Sequence, residues 1–147
     1  MTDNFNYLEE RLEEQRKWHS SKATMNKKRY YTTEIITLTT GSLIPVINVL
    51  NFPGPVRLIS ALLAATGVIS AGIAKLCKYQ ENWLNFRAVA EALKREKELY
   101  EHQIGDYELD SGKRQKLLVE RVEEILASTT AKFISIQKKK QDKPAGQ

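Results

Sequence analysis

From Ile35 to Ala74 this chain carries a single charge, Arg57, while the segments on either side are densely charged. That block limits the possible folds more than any other feature. It is divided by Asn51-Phe52-Pro53-Gly54-Pro55, where two prolines around a glycine cannot continue a helix. The pattern predicts two membrane-spanning helices, at 30–52 and 56–76, joined by a short external turn at 53–55. The apolar runs Ile35–Leu50 and Leu58–Ala74 are near the lower limit of the ~17–25 residues a bilayer asks for. Tyr30, Tyr31 and Phe52 can extend them at the interfaces, and Arg57 and Lys75 can snorkel toward head groups. A soluble hairpin that is apolar on nearly every face would need a thick shell of further helices. The rest of the chain has only narrow apolar stripes.

At 147 residues the chain is long enough for one domain, predicted over 1–137. Its lone cysteine, Cys77, excludes an intramolecular disulfide. The first 34 residues are too polar for a signal peptide, so the first span is expected to act as its own insertion signal. Lys17, Lys22, Lys27, Lys28 and Arg29 precede the block, and Lys75, Lys78, Arg87 and Lys94 follow it. These nine face one, Arg57, at the turn. Basic residues stay on the cytoplasmic side, so both termini are expected there, with a bacterial inner membrane as the expected location.

Taken in order, a helix is predicted over 4–29, with Phe5, Leu8, Leu12, Gln15 and Trp18 or His19 at helical spacing and Thr2 or Asp3 as its cap. No proline or glycine interrupts the chain from Phe5 to Thr40, so this helix is expected to run into the first span. That span is polar for its kind. Thr33, Thr37, Gly41, Ile44 and Asn48 share a face, with Thr40 beside it and Glu34 one turn below. Pro45 is expected to bend the helix. Two readings of this face stay open. The hydroxyls can bond back to their own helix, leaving only Asn48 in need of a partner, or the stripe can line a hydrated path between subunits.

In the second span Ser60, Ala64, Gly67, Ala71 and Ala74 form a stripe of small residues, which lets helix backbones approach closely in lipid. No proline follows Val56 before His102, so one helix is predicted over 56–102, with 77–102 as its cytoplasmic continuation. Its seam reads Leu76, Tyr79, Trp83, Phe86, Ala90, Leu93 and Tyr100. Gly105 is the expected C-terminal cap. A last helix at 111–137, capped by Asp110 or Ser111, buries Leu117, Leu118, Val122, Ile125, Leu126, Phe133 and Ile136. Residues 138–147 form a basic tail expected to be disordered.

The fold class expected is therefore all-α: a two-span hairpin whose long helical extensions bundle, in an oligomer. No catalytic constellation is present in the sequence. His19 and His102 lie far apart, metal-ligand spacings are missing, and no glycine-rich phosphate loop follows a strand. Basic residues share faces with acids, so no nucleic-acid stripe emerges. The reading is a protein that is not an enzyme and has no cofactor or metal.

Directly after the apolar block comes Trp83-x-x-x-Arg87-x-x-x-Glu91-x-Leu93-x-x-Glu96-x-x-x-Tyr100. Together with Tyr7-Leu8-Glu9-Glu10-Arg11, Trp18 and Lys27-Lys28-Arg29-Tyr30-Tyr31, it resembles the SLATT group of bacterial two-transmembrane proteins (SMODS- and SLOG-associating two-transmembrane effector domain). The resemblance covers about residues 5–135. It implies a membrane effector that assembles into pores, often under a nucleotide-signalling sensor, which for this chain would be a separate protein. Its charged helix positions match Arg87, Glu91 and Glu96, expected here as a salt-bridge seam of the cytoplasmic bundle. The sequence thus predicts an oligomeric pore lined by Thr33, Glu34, Thr37, Thr40, Gly41, Ile44 and Asn48, with Glu34 as a carboxylate ring favouring cations. The alternative is a non-conducting two-span scaffold whose cytoplasmic helices recruit a signalling partner.

Overall fold

The structure, a computed structural model, describes residues 3–50 and 54–141, with side chains described at 11–50, 54–129 and 131. Among these residues it is all-helical, with no strand. Helix α1 spans Asp3–Val49, α2 Val56–Cys77, α3 Tyr79–His102 and α4 Ser111–Gln141, with a short 3-10 turn at Gly105–Tyr107 between the last two. Residues Thr2, Asn51, Phe52 and Pro53, parts of the expected cap and turn, lie outside the described residues, as do the side chains of Phe5, Leu8, Phe133 and Ile136.

Helix α1 is unbroken over 47 residues and passes through Pro45. The helix expected to stop at residue 137 continues to Gln141, so the first part of the basic tail is helical; residues 142–147 lie outside the described part.

The chain divides into two compact units: Met1–Ser20 with Phe86–Gln147, and Ser21–Asn85. The first is a three-helix bundle with a small apolar core. Leu12 of α1, Val89 and Leu93 of α3, Leu118 and Val122 of α4, and Tyr107 of the 3-10 turn are buried together, with Leu99, Tyr100, Leu117, Ile125 and Leu126 packed around them. Leu93, wholly inaccessible to solvent, is the centre of this core. Around it the charged faces pair off. Arg11 reaches Glu123 at 2.8 Å, Lys97 reaches Glu13 at 3.6 Å, and Arg121 reaches Asp106 at 3.2 Å.

In the second unit, the latter part of α1 packs on α2. The covered positions of α1 include Ala23, Asn26, Tyr30, Thr33, Thr37, Thr40, Ile44 and Ile47, alternating three and four residues apart, with Lys22 and Glu34 partly covered beside them. Those of α2 are Val56, Ser60, Leu63, Gly67, Ser70 and Ala74. This is the 3.5-residue repeat of helices that coil around each other. The close approach depends on Gly67: a Cβ there would lie 2.7 Å from Thr40 Oγ1. Ser70, buried in the seam, donates to the Thr33 carbonyl at 3.0 Å.

The outer faces of this unit are apolar and uncovered. Ile35, Leu38, Val46 and Val49 on α1 are exposed, as are Leu58, Leu62, Val68, Ile69 and Leu76 on α2. Among the described residues one helical stretch, Val56–His102, is long and apolar enough to cross a membrane, and only 6% of its apolar window is buried. Within α1, which ends at Val49, no stretch of that length reaches the same apolarity.

The expected single helix over 56–102 breaks at Lys78, which adopts φ 48° and ψ 42° in the left-handed region. The break frees carbonyls at the end of α2, and the Asn82 side chain answers one of them, its Nδ2 donating to Cys77 O at 3.0 Å. A second cap differs from expectation. Gln103, at φ 54°, takes the left-handed position assigned to Gly105. Ile104 N–H then reaches back to the Leu99 carbonyl at 3.1 Å, the six-to-one bond of a Schellman ending.

Candidate functional site

The residues expected to line a path are divided by the structure. Thr33, Thr37, Thr40 and Ile44 lie along the seam with α2, Thr40 buried and the others partly covered, and Thr37 also reaches the cavity described below. Their hydroxyls are satisfied within α1: Thr33 donates to Tyr30 O at 2.8 Å, Thr37 to Thr33 O at 2.9 Å and Thr40 to Ile36 O at 2.8 Å. Gly41 and Asn48 are exposed, and Asn48 Nδ2 donates to Ile44 O at 2.9 Å, so its amide also finds a partner in its own helix. Glu34 is half-buried. Seven-residue spacing places Glu34, Gly41 and Asn48 on one line beside the seam.

Glu34 opens onto a cavity of about 460 Å³, shared with Tyr30, Thr37, Ala71, Lys75 and Lys78. The small-residue stripe of α2 is divided as well. Ser60, Gly67 and Ala74 lie in the seam, whereas Ala64 and Ala71 are exposed beside it, their expected places taken by Leu63 and Ser70. Ser60 Oγ is buried with no hydrogen-bond partner.

At one end of the same unit aromatic rings gather. Trp83 stacks on Tyr30 at 6.3 Å between ring centroids and leans on Tyr31 at 6.1 Å. Lys27 Nζ lies over the Trp83 ring at 5.4 Å and the Arg29 guanidinium over Tyr79 at 5.9 Å. Such contacts hold cations on ring faces without a carboxylate. The covered and uncovered parts of these side chains form a basic and aromatic collar.

Of the residues assigned to the cytoplasmic bundle, Leu93 lies in the core of the first unit and Tyr100 packs on it, while Trp83 belongs to the second unit. Arg87 and Glu91 pair with each other along α3 and are largely exposed, so they do not form the expected seam between helices. Glu96 does join two elements, accepting from the Tyr107 hydroxyl at 2.6 Å, and Tyr100 meets the Tyr107 ring edge-on at 5.9 Å. Burial and the Glu96 hydrogen bond push the Tyr107 hydroxyl well above the ordinary tyrosine range. The Arg16 hydrogen bond, helped by the charges of Arg16, Lys97 and Lys17, lowers the Glu13 carboxyl from 4.5 to about 2. A second cavity, about 750 Å³, lies between α3, the 3-10 turn and α4, lined by Arg95, Leu99, Ile104, Tyr107 and Arg121 among others. Among the described residues no group of three or more His, Cys, Asp or Glu could hold a metal ion.

Sequence reasoning missed Asn26, Ser70 and Tyr107, and it paired Glu13 only with Lys17, whereas Glu13 also meets Arg16 and Lys97. Asn26 is buried in the seam and caps its own helix turn by donating to Lys22 O at 2.8 Å. A strict 3-4 alternation, applied to polar as well as apolar residues, would have found Asn26 and Ser70.

One family of known sequences, described as proteins of unknown function (DUF4231), has a model that matches residues 14–115. No curated protein and no solved structure matches the chain.

Proposed function

We propose that this chain, which belongs to the DUF4231 family, is a membrane-embedded helical hairpin that assembles with copies of itself into an ion-conducting pore. The observation that carries the membrane part is the uncovered apolar surface of the second unit, on both α1 and α2. Contiguous exposed apolar faces of this kind mark membrane or partner surfaces. On this reading α1 crosses as well as α2, despite its threonines, because their hydroxyls are bonded to its own carbonyls and cost little in lipid. The excess of cations flanking the hairpin puts both ends in the cytoplasm of a bacterial cell. The SLATT-like pattern around Trp83, Arg87, Glu91 and Tyr100 supports an effector role, with a separate sensor protein supplying the signal.

The path is built differently from the sequence-based expectation. Thr33, Thr37 and Thr40 are occupied against α2, so the line Glu34, Gly41 and Asn48 faces the path. Glu34 forms a carboxylate ring at its cytoplasmic mouth, and such rings favour cations. The chain is no enzyme on this reading and needs no cofactor.

The self-satisfied threonines also favour a second reading, a non-conducting anchor whose helical bundle recruits a partner. Ion flux in liposomes separates the two. A pore passes cations as a defined oligomer, loses cation preference in Glu34→Gln and loses conductance in Asn48→Leu. A defined oligomer with no flux in any ionic condition, with or without a signalling partner, rejects the pore and leaves the anchor.

A further inference from the structure

In the helical bundle many cations pair with carboxylates, Arg11 with Glu123, Arg16 with Glu13, Arg87 with Glu91, Lys97 with Glu101, and Arg121 with Asp106, whereas among the described residues Arg95 and Lys113 are in no ion pair and Arg114 rests on the Tyr100 ring. In the second unit, among the described residues, Lys27, Lys28, Arg29 and Lys75 are exposed and belong to no ion pair; Lys78, their neighbour, is taken by Glu81 at 2.7 Å. Lys27 and Arg29 rest instead on the rings of Trp83 and Tyr79. Tyr30, Tyr31 and Trp83 form one aromatic cluster beside them. This cluster adjoins the exposed apolar faces that begin at Ile35 on α1 and end at Leu76 on α2. At the other end of α2 the only cation is Arg57.

We propose that Lys27, Lys28, Arg29 and Lys75, set in the collar of Tyr30, Tyr31, Tyr79 and Trp83, bind the head groups of anionic phospholipids at one bilayer surface. The inference rests on the membrane reading above and adds a lipid specificity to it. The physical reasons are charge and geometry. Amphipathic rings settle at the level of the head groups, with the apolar faces continuing below them. Four cations without carboxylate partners then stand where phosphates lie and attract an anionic surface. The collar is one-sided, so it also fixes which leaflet holds the anionic lipid.

The test is the association of spin-labelled lipids with the full chain in reconstituted phosphatidylcholine membranes. Spin-labelled phosphatidylglycerol should be held at the protein surface about tenfold more strongly than spin-labelled phosphatidylcholine at low salt. The ratio should fall toward one in high salt and in a variant carrying Lys27→Gln, Lys28→Gln, Arg29→Gln and Lys75→Gln. Arg57→Gln should leave it unchanged. Equal retention of both lipids by the unaltered protein overturns the collar and leaves the membrane reading standing. If neither lipid is immobilised, the protein is not in the bilayer and both fall. A ratio lowered as much by Arg57→Gln as by the four changes would also overturn the collar, since any cation would then serve.

Discussion

Gly67 and Thr40 meet so closely that a single methyl tests the packing of the hairpin. Gly67→Ala places a carbon 2.7 Å from Thr40 Oγ1, and either the Thr40 hydroxyl must turn away from its Ile36 carbonyl or the helices must part. The expected loss is about 1–2 kcal/mol. Adding Thr40→Ala opens the space and should recover most of the loss, measured by thermal unfolding in detergent. Glu13 gives a prediction in pH. Its folded pKa lies below its ordinary 4.5, so its contribution is fully present above that value and is lost as pH falls toward about 2. Glu13→Gln should remove about 1 kcal/mol at neutral pH, since the group is partly exposed and screened. The variant should also flatten the acid dependence of unfolding across that window. A pH profile parallel to that of the unaltered protein would mean the ion pairs of Glu13 contribute nothing.

Between α2 and α3 the chain makes its one turn through Lys78, a residue poorly suited to the left-handed conformation. Lys78→Gly should stabilise the fold by about 1 kcal/mol. Asn82→Ala should cost about as much by leaving the Cys77 carbonyl without its side-chain donor. Chemical unfolding of the two variants should therefore move in opposite directions. This break was not legible in the sequence because Lys-Tyr-Gln is a good helical run, and only tertiary packing overrides it. The helices themselves were legible, as were Leu93, Leu118 and Val122 as core positions, since they are apolar at regular spacing. The α1–α2 seam was legible in part: Ser60, Gly67 and Ala74 were read as a packing stripe, and back-bonding of the threonines was one of two open readings. Its polar inner positions Asn26 and Ser70 were not, because a search for apolar or small stripes passes over them.

For the molecule as a whole, an apolar unit of exposed leucines, isoleucines and valines is joined in one chain to a bundle in which many charges are paired. Expressed in cells, it should sediment with membranes and stay there through alkaline carbonate extraction; release into the supernatant would point to a partner protein covering those faces instead. Glu34 was legible as a candidate because it is the last acid before the apolar block. Gly41 and Asn48 were named beside it from the sequence, and the structure separates these three from the threonines of the seam.

The hydroxyls bonded to their own helix carbonyls have a consequence for biogenesis. A helix that satisfies its own polar groups can enter a bilayer alone, without waiting for its neighbour. Docking then adds little beyond the Ser70 bond to Thr33 and the fit of Gly67 to Thr40. On the proposed membrane reading the hairpin would assemble late, from two independently inserted rods, and opening it would strand few hydrogen bonds. A signal arriving at the protein would meet a joint that can loosen and reclose without leaving the membrane.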